Sequence, residues 1–214
     1  MLVPTDNLKQ AYDLAYRKAC ADFARWQPAD MAASGGAGFD PAAAAIGLRY
    51  AGDDYIIRWP GGEVMTAGGE PAPTTASIVL LHYLLRAGGQ PLANRLISFK
   101  EIPNGGMIYL DAYNKRIIGY LLAVFGGRPA LLPEAGRLLG GAAAAFGHYG
   151  LRLDVLPRLP VTFVLWAGDD ELPATATVLY DASASFYLPT EDLIEATAHS
   201  VRQLARAAKK LAGA

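Results

Sequence analysis

Val161-Thr162-Phe163-Val164-Leu165-Trp166, then Gly168-Asp169-Asp170-Glu171, then Ala174 to Tyr180, is the stretch that decides the fold. The first run is rich in β-branched and aromatic residues and reads as a strand. The glycine and the three acidic residues break it. The third run alternates Thr with apolar residues and reads as its hairpin partner. Downstream, Thr190 is expected to cap a last helix reaching about Leu211, because a short side-chain oxygen accepts a free amide there. Glu191 and Asp192 lie in its first turn and Arg206, Lys209 and Lys210 near its end, which suits the helix dipole. Upstream, Leu156-Pro157-Arg158-Leu159-Pro160 is held extended by its two prolines.

Further back the same logic recurs. Ile46, Leu48 and Tyr50 alternate with small or polar residues, and Gly52-Asp53-Asp54 signals a turn. Tyr55 to Trp59 follows as a second strand. Pro60-Gly61-Gly62 turns again before a short strand at Glu63 to Thr66, which completes a meander. Leu8, Tyr12, Ala15, Ala19, Phe23 and Trp26 recur at helical spacing, with Thr5 or Asp6 as cap and Pro28 as stop. Residues 32–43 read as a loop. Thr74 or Thr75 opens a helix to about Arg86 that is apolar nearly all round and so belongs inside. Leu96 to Ile102 reads as a strand and Asn104-Gly105-Gly106 as a turn. Asp111 caps a helix over 112–125, and a short helix follows Pro133. Hairpin-like groups of strands separated by helices predict an α+β fold: one domain over 1–214, with antiparallel hairpins and a meander packed on four to five helices. Within it lie a helix-plus-meander part (1–70), a helix-rich middle (74–141) and a C-terminal hairpin and helix (155–211).

The totals agree with a folded chain. The 214 residues are 52% hydrophobic and 18% charged, the opposite of the balance that gives disorder. A net charge of −1 supplies no broad surface for nucleic acid or anionic lipid, so neither is expected as a partner. The lone Cys20 can neither form an intrachain disulfide nor hold an iron–sulfur cluster unaided. It reads as a buried structural thiol. No charged segment followed by an apolar run opens the chain, and Ile78 to Leu85 is too short to span a bilayer. A cytoplasmic protein is expected, with no self-held cluster and an open oligomeric state.

P-loop, GxGxxG, HExxH, CxxC and GxSxG patterns are all missing. Three weaker features remain. Asp169, Asp170 and Glu171 can hold a divalent metal or supply an acid/base pair, although a solvated hairpin turn is the commoner role for such residues. Asp181 does not join them, because it lies roughly 20 Å away at the far end of the hairpin. It groups instead with Glu191 and Asp192, where helix capping is the simpler role. His82, in the most apolar helix, can ligate a metal or a tetrapyrrole iron; as a plain core residue its ring would be satisfied by backbone or a hydroxyl. His148 lies at a loop or strand end, and His199 is expected to be exposed mid-helix. Arg158 suits an anion site or a structural ion pair. The 11 tyrosines and Trp26, Trp59 and Trp166 can line a pocket or simply fill the core.

Several segments also resemble an uncharacterised family, domain-of-unknown-function number 3786, of anaerobic bacteria and archaea. They are Leu80-Leu81-His82-Tyr83-Leu84-Leu85, Ser98-Phe99-Lys100-Glu101-Ile102-Pro103 with Gly105-Gly106 and Tyr109, Leu156 to Val161, Leu165-Trp166 with Gly168 to Ala174, and Tyr187 to Leu193. The resemblance covers roughly residues 74–195 and implies no named reaction. Some relatives are joined to a four-cysteine iron–sulfur module similar to that of corrinoid proteins of one-carbon metabolism, which this chain lacks. The resemblance therefore implies a partner carrying a cluster or a corrinoid. The first functional expectation is a cofactor- or partner-binding module that uses His82, Lys100, Arg158 and Trp166, with a tetrapyrrole or a divalent metal as cofactor. The alternatives are a divalent-metal-dependent hydrolase or transferase using Asp169, Asp170 and Glu171, and a purely structural or interaction protein.

Overall fold

The runs at 161–166 and 174–180 pair as expected. In the computed structural model, which describes residues 5–104 and 106–213 without the side chains of 5–8, β8 (Leu159–Trp166) and β9 (Thr175–Asp181) are antiparallel, with Val161 opposite Tyr180 and Trp166 opposite Thr175. The side chains of the expected caps Thr5 and Asp6 and of Leu8, and the whole of Gly105, lie outside what is described. Strand β8 is the centre of a five-stranded antiparallel sheet, and all of it except Trp166 is buried. The other strands are β5 (Leu96–Ser98), β6 (Ala142–Ala144) and β7 (Tyr149–Leu156), in the order β5-β9-β8-β7-β6.

A second antiparallel sheet runs β1 (Gly38–Asp40), β2 (Ala45–Tyr50), β3 (Asp53–Arg58), β4 (Val64–Thr66) in chain order. Ile46, Leu48 and Tyr50 of β2 and Tyr55 and Ile57 of β3 are buried, while Gly47, Arg49, Asp54 and Ile56 are exposed. Ile46 lies opposite Ile57 and Leu48 opposite Tyr55, so one face of the meander is apolar. The sheets meet where the Ala51 amide donates to the Val155 carbonyl at 2.8 Å.

The expected helices form: α1 (Thr5–Phe23), α3 (Thr74–Arg86), the run from α4 (Leu110–Tyr113) to α5 (Gly119–Phe125), α6 (Leu131–Leu138) and α8 (Thr190–Ala212). A π turn at Asn114–Ile118 joins α4 to α5 without a break in helical dihedrals. Helix α3 is wrapped by α1, α2 (Pro28–Gly35), α7 (Ala184–Tyr187) and α8. Helix α6 packs between α8 and β7. The architecture is thus an α+β single-domain fold.

Local departures have physical reasons. Pro28 opens a further helix, α2 (Pro28–Gly35), rather than only closing α1, since proline is tolerated in a first turn. That helix buries Met31 and Ala32 and ends on Gly36, whose φ of 66° suits glycine; the expected 32–43 loop is therefore partly α2 and β1. Pro73, Tyr109 and Pro189 hold the N-cap positions of α3, α4 and α8, and no side chain caps them. Thr190 donates instead to the Pro103 carbonyl at 3.2 Å, and Asp111 pairs with Lys115 at 2.8 Å. The strand expected over 96–102 stops at Ser98. There Glu101 accepts bonds from the Ser98 amide (2.8 Å) and hydroxyl (2.7 Å), closing a capping box on a 3-10 turn. Strand β7 was not expected, although Leu151, Leu153 and Val155 alternate inward with exposed Arg152 and Asp154. Pro157 and Arg158 turn the chain from β7 into β8 rather than extending it, and Pro160 is tolerated in a central strand because β7 bulges opposite it.

Cys20 is half-buried, its thiol 3.8 Å from the Gly62 carbonyl, and burial pushes it up. His148 accepts from the Ala167 amide at 3.1 Å. His199 is not exposed as expected: it stacks on Tyr50, with centroids 4.5 Å apart and planes 12° apart, and its Nε2 is buried without a partner. Burial, then the charges of Arg202 and Arg206, push its pKa from 6.5 down to about 4. The unfolded imidazole takes a proton near 6.5, while the folded one stays neutral to about 4. The stabilisation is thus complete above 6.5 and is lost as pH falls through the folded value. Melting curves between pH 7 and 4 should show wild type losing on the order of 2–3 kcal/mol more than His199→Phe. Equal acid slopes in the two proteins would contradict this.

Candidate functional site

Helix α3 exposes little, so a histidine on it needs a partner. His82 projects toward the start of α8, where its Nδ1 lies 2.6 Å from Asp192 Oδ2. Their side chains are 33% and 12% exposed, so the pair is largely shielded from water. A carboxylate facing Nδ1 of a neutral ring accepts from Nδ1–H, which leaves the lone pair on Nε2. Among the described residues Nε2 has no hydrogen-bond partner.

The pair opens onto a cleft of about 330 Å³ between α1, α3, α4 with its π turn, and the first turns of α8. Ala15, Ile78, Val79 and Ala112 give it an apolar side. The α8 side is polar. Glu191, Asp192 and Glu195 line it, because spacings of one and four residues put all three on neighbouring turns. Arg116 pairs with Glu195 across the cleft, and Tyr109 donates its hydroxyl to Glu191. The Glu191 carboxylate raises the Tyr109 phenol above its ordinary value. Tyr12 adds a second aromatic ring to the rim.

The other residues picked out by sequence are dispersed. Tyr83, next to His82 but turned about 100° round α3 from it, donates to the Gly35 carbonyl at 2.7 Å and accepts from the Arg158 amide at 2.9 Å. Arg158 therefore sits at the β7–β8 turn, away from His82. Lys100 is exposed beside a separate hollow of about 100 Å³ floored by Phe99 and Tyr113. Trp166 is 38% exposed at the end of β8. Asp169 Oδ1 accepts from the amides of Glu171 (3.0 Å) and Leu172 (2.8 Å), which holds its carboxyl below the usual range. Among the described residues no group of three or more His, Cys, Asp or Glu is placed to hold a metal ion. Asp181 is buried at the other end of β9, bonded to Ser183 Oγ (2.6 Å) and the Ala93 amide (2.8 Å), far from Asp192's role.

The sequence points to His82 as a metal or tetrapyrrole ligand, or else as a core residue satisfied by backbone or a hydroxyl; the partner in the structure is a carboxylate. Sequence reading treated Glu191 and Asp192 as helix-end charges and passed over Arg116 and Glu195. A histidine on an all-apolar helix was itself the signal that a polar partner must be supplied from another element.

Fold and site together define an α+β domain with a helical cleft built on a histidine–aspartate pair. The chain belongs to the domain of unknown function (DUF3786) family, whose model matches residues 27–203. That span contains every cleft residue except those of α1. No curated protein and no solved structure matches the chain. Among the described residues no helix is long and apolar enough to cross a membrane.

Removing Asp192 should release the His82 ring. In ¹⁵N spectra at neutral pH, wild type should show the Nδ1–H tautomer and Asp192→Ala the Nε2–H form that free imidazole prefers. An unchanged tautomer in the variant would mean that Asp192 does not orient the ring.

Proposed function

We propose that this chain is a small-molecule-binding module, with the helical cleft as its site and His82 as the group that meets the ligand. The observation that carries the reading is the 2.6 Å His82–Asp192 pair at the cleft wall. A histidine used only for packing needs no dedicated carboxylate, and burying a carboxylate is costly unless it is paired. The pair fixes one tautomer and leaves one nitrogen with a lone pair, the arrangement found where an imidazole ligates a metal or takes a proton. The cleft volume of about 330 Å³ lies within the range of ligand sites, at the small end. Mixed lining, apolar on α1 and α3 and polar on α8, adds to this. Lys100, Arg158 and Trp166 are not part of the proposed site.

The test is native mass spectrometry and UV–visible spectroscopy on protein purified without oxygen, comparing wild type with His82→Ala and with Asp192→Asn. A bound mass in wild type, lost in His82→Ala and weakened in Asp192→Asn, supports the reading. A visible band on that species would assign a tetrapyrrole. A mass retained by both variants would place any ligand elsewhere and overturn it.

A further inference from the structure

The walls of the cleft differ in kind, and the difference specifies a ligand. Besides His82, three carboxylates and one guanidinium line it, a formal −2 from those four groups. Among the described residues nothing else charged lines it. The carboxylates all come from one helix, α8, while the facing surfaces of α1 and α3 give Ala15, Ile78 and Val79. A ligand filling this space therefore meets hydrocarbon on one side and negative charge on the other. Two tyrosine rings, Tyr12 and Tyr109, stand at the rim, and an aromatic face attracts a cation through its quadrupole. The side chains of Asp192 and Glu195 are only 12% and 18% exposed, which keeps their field from being fully screened by solvent.

The charge cannot be assigned to a metal on this geometry, since the carboxylates and His82 do not converge as three ligands on one point. An ammonium does not need convergence. It spreads its charge over several N–H or N–CH groups and is satisfied by one carboxylate and an aromatic face. We infer that the cleft, read as the binding site proposed above, takes an organic cation: an ammonium group carried on a small apolar body. The body lies against Ile78 and Val79. The ammonium lies against the α8 carboxylates and the tyrosines, within reach of His82 Nε2, whose lone pair accepts one of its N–H bonds.

Three probes sharing one body test this: phenethylammonium, 2-phenylethanol and 3-phenylpropionate. Methyl NMR of Ile78 and Val79, with calorimetry at pH 7.5 and low salt, reads both location and affinity. The cation should bind about tenfold more tightly than the alcohol, and the carboxylate more weakly still. Glu191→Gln and Glu195→Gln should each reduce that preference several-fold without unfolding the chain, and added salt should reduce it too. If the alcohol binds in the cleft as tightly as the cation, or the carboxylate more tightly, the cleft remains a binding site and the inference of a cation is overturned. Recovery of a tetrapyrrole at His82 overturns it in the same way. If no probe shifts a cleft methyl, the inference falls, while a bound mass lost in His82→Ala would still uphold the reading beneath it.

Discussion

Helix α3 must be covered on most sides, and the arrangement of the rest follows from that. Ala76 to Leu81, Tyr83 and Leu84 are all buried. An apolar helix of this kind is stable only when other elements remove most of its circumference from water. Here α1, α2, α7 and α8 cover most of it, and His82 stays a third exposed where the cleft opens. His82 is the exception on that surface, and Asp192 answers it from the first turn of α8. Covering α3 and pairing His82 are therefore satisfied by one docking event, which also fixes where the cleft opens.

The opposite wall is held by a second constraint, inside the core. Tyr113, at the end of α4, meets Tyr180 of β9 hydroxyl to hydroxyl at 3.0 Å, and Tyr180 meets Thr197 of α8 at 2.8 Å. Thr197 donates its own hydroxyl to the Leu193 carbonyl at 2.7 Å. Phe99 stacks on Tyr113 with centroids 3.9 Å apart. Each buried hydroxyl has a partner, which a dry interior demands. The chain of hydroxyls ties the π-turn helix to the sheet and to α8. Arg116, one turn beyond Tyr113, is thereby set opposite Glu195. The position of a surface ion pair at the cleft is in this way decided by a buried network.

Much of the fold was legible because it rests on local periodicity. The β8–β9 hairpin, the meander and the helical stripes all repeat with the period of their own backbone. What was missed depends on neighbours. Strand β7 has the right alternation but lies between Gly-rich and Pro-rich stretches, and only its pairing with β8 makes it a strand. Ser98 and Glu101 carry a capping box that a strand pattern hides. The site was legible only by half. His82 is conspicuous on its helix, but Asp192, 110 residues away, is indistinguishable in sequence from any acidic residue in a helix's first turn.

Asp169 and Asp192 make the physical distinction plain. Each follows a break in regular structure and each has acidic neighbours. At Asp169 two backbone amides converge on one oxygen, so the turn itself consumes the charge. At Asp192 the start of α8 offers no capping bond from a side chain, and the carboxylate is turned inward to an imidazole. A carboxylate spent on its own backbone stabilises a turn. A carboxylate spent on a histidine changes what that histidine can do, since it decides which nitrogen keeps its lone pair. That difference, rather than the number of acidic residues, directs attention to the cleft and away from the hairpin turn.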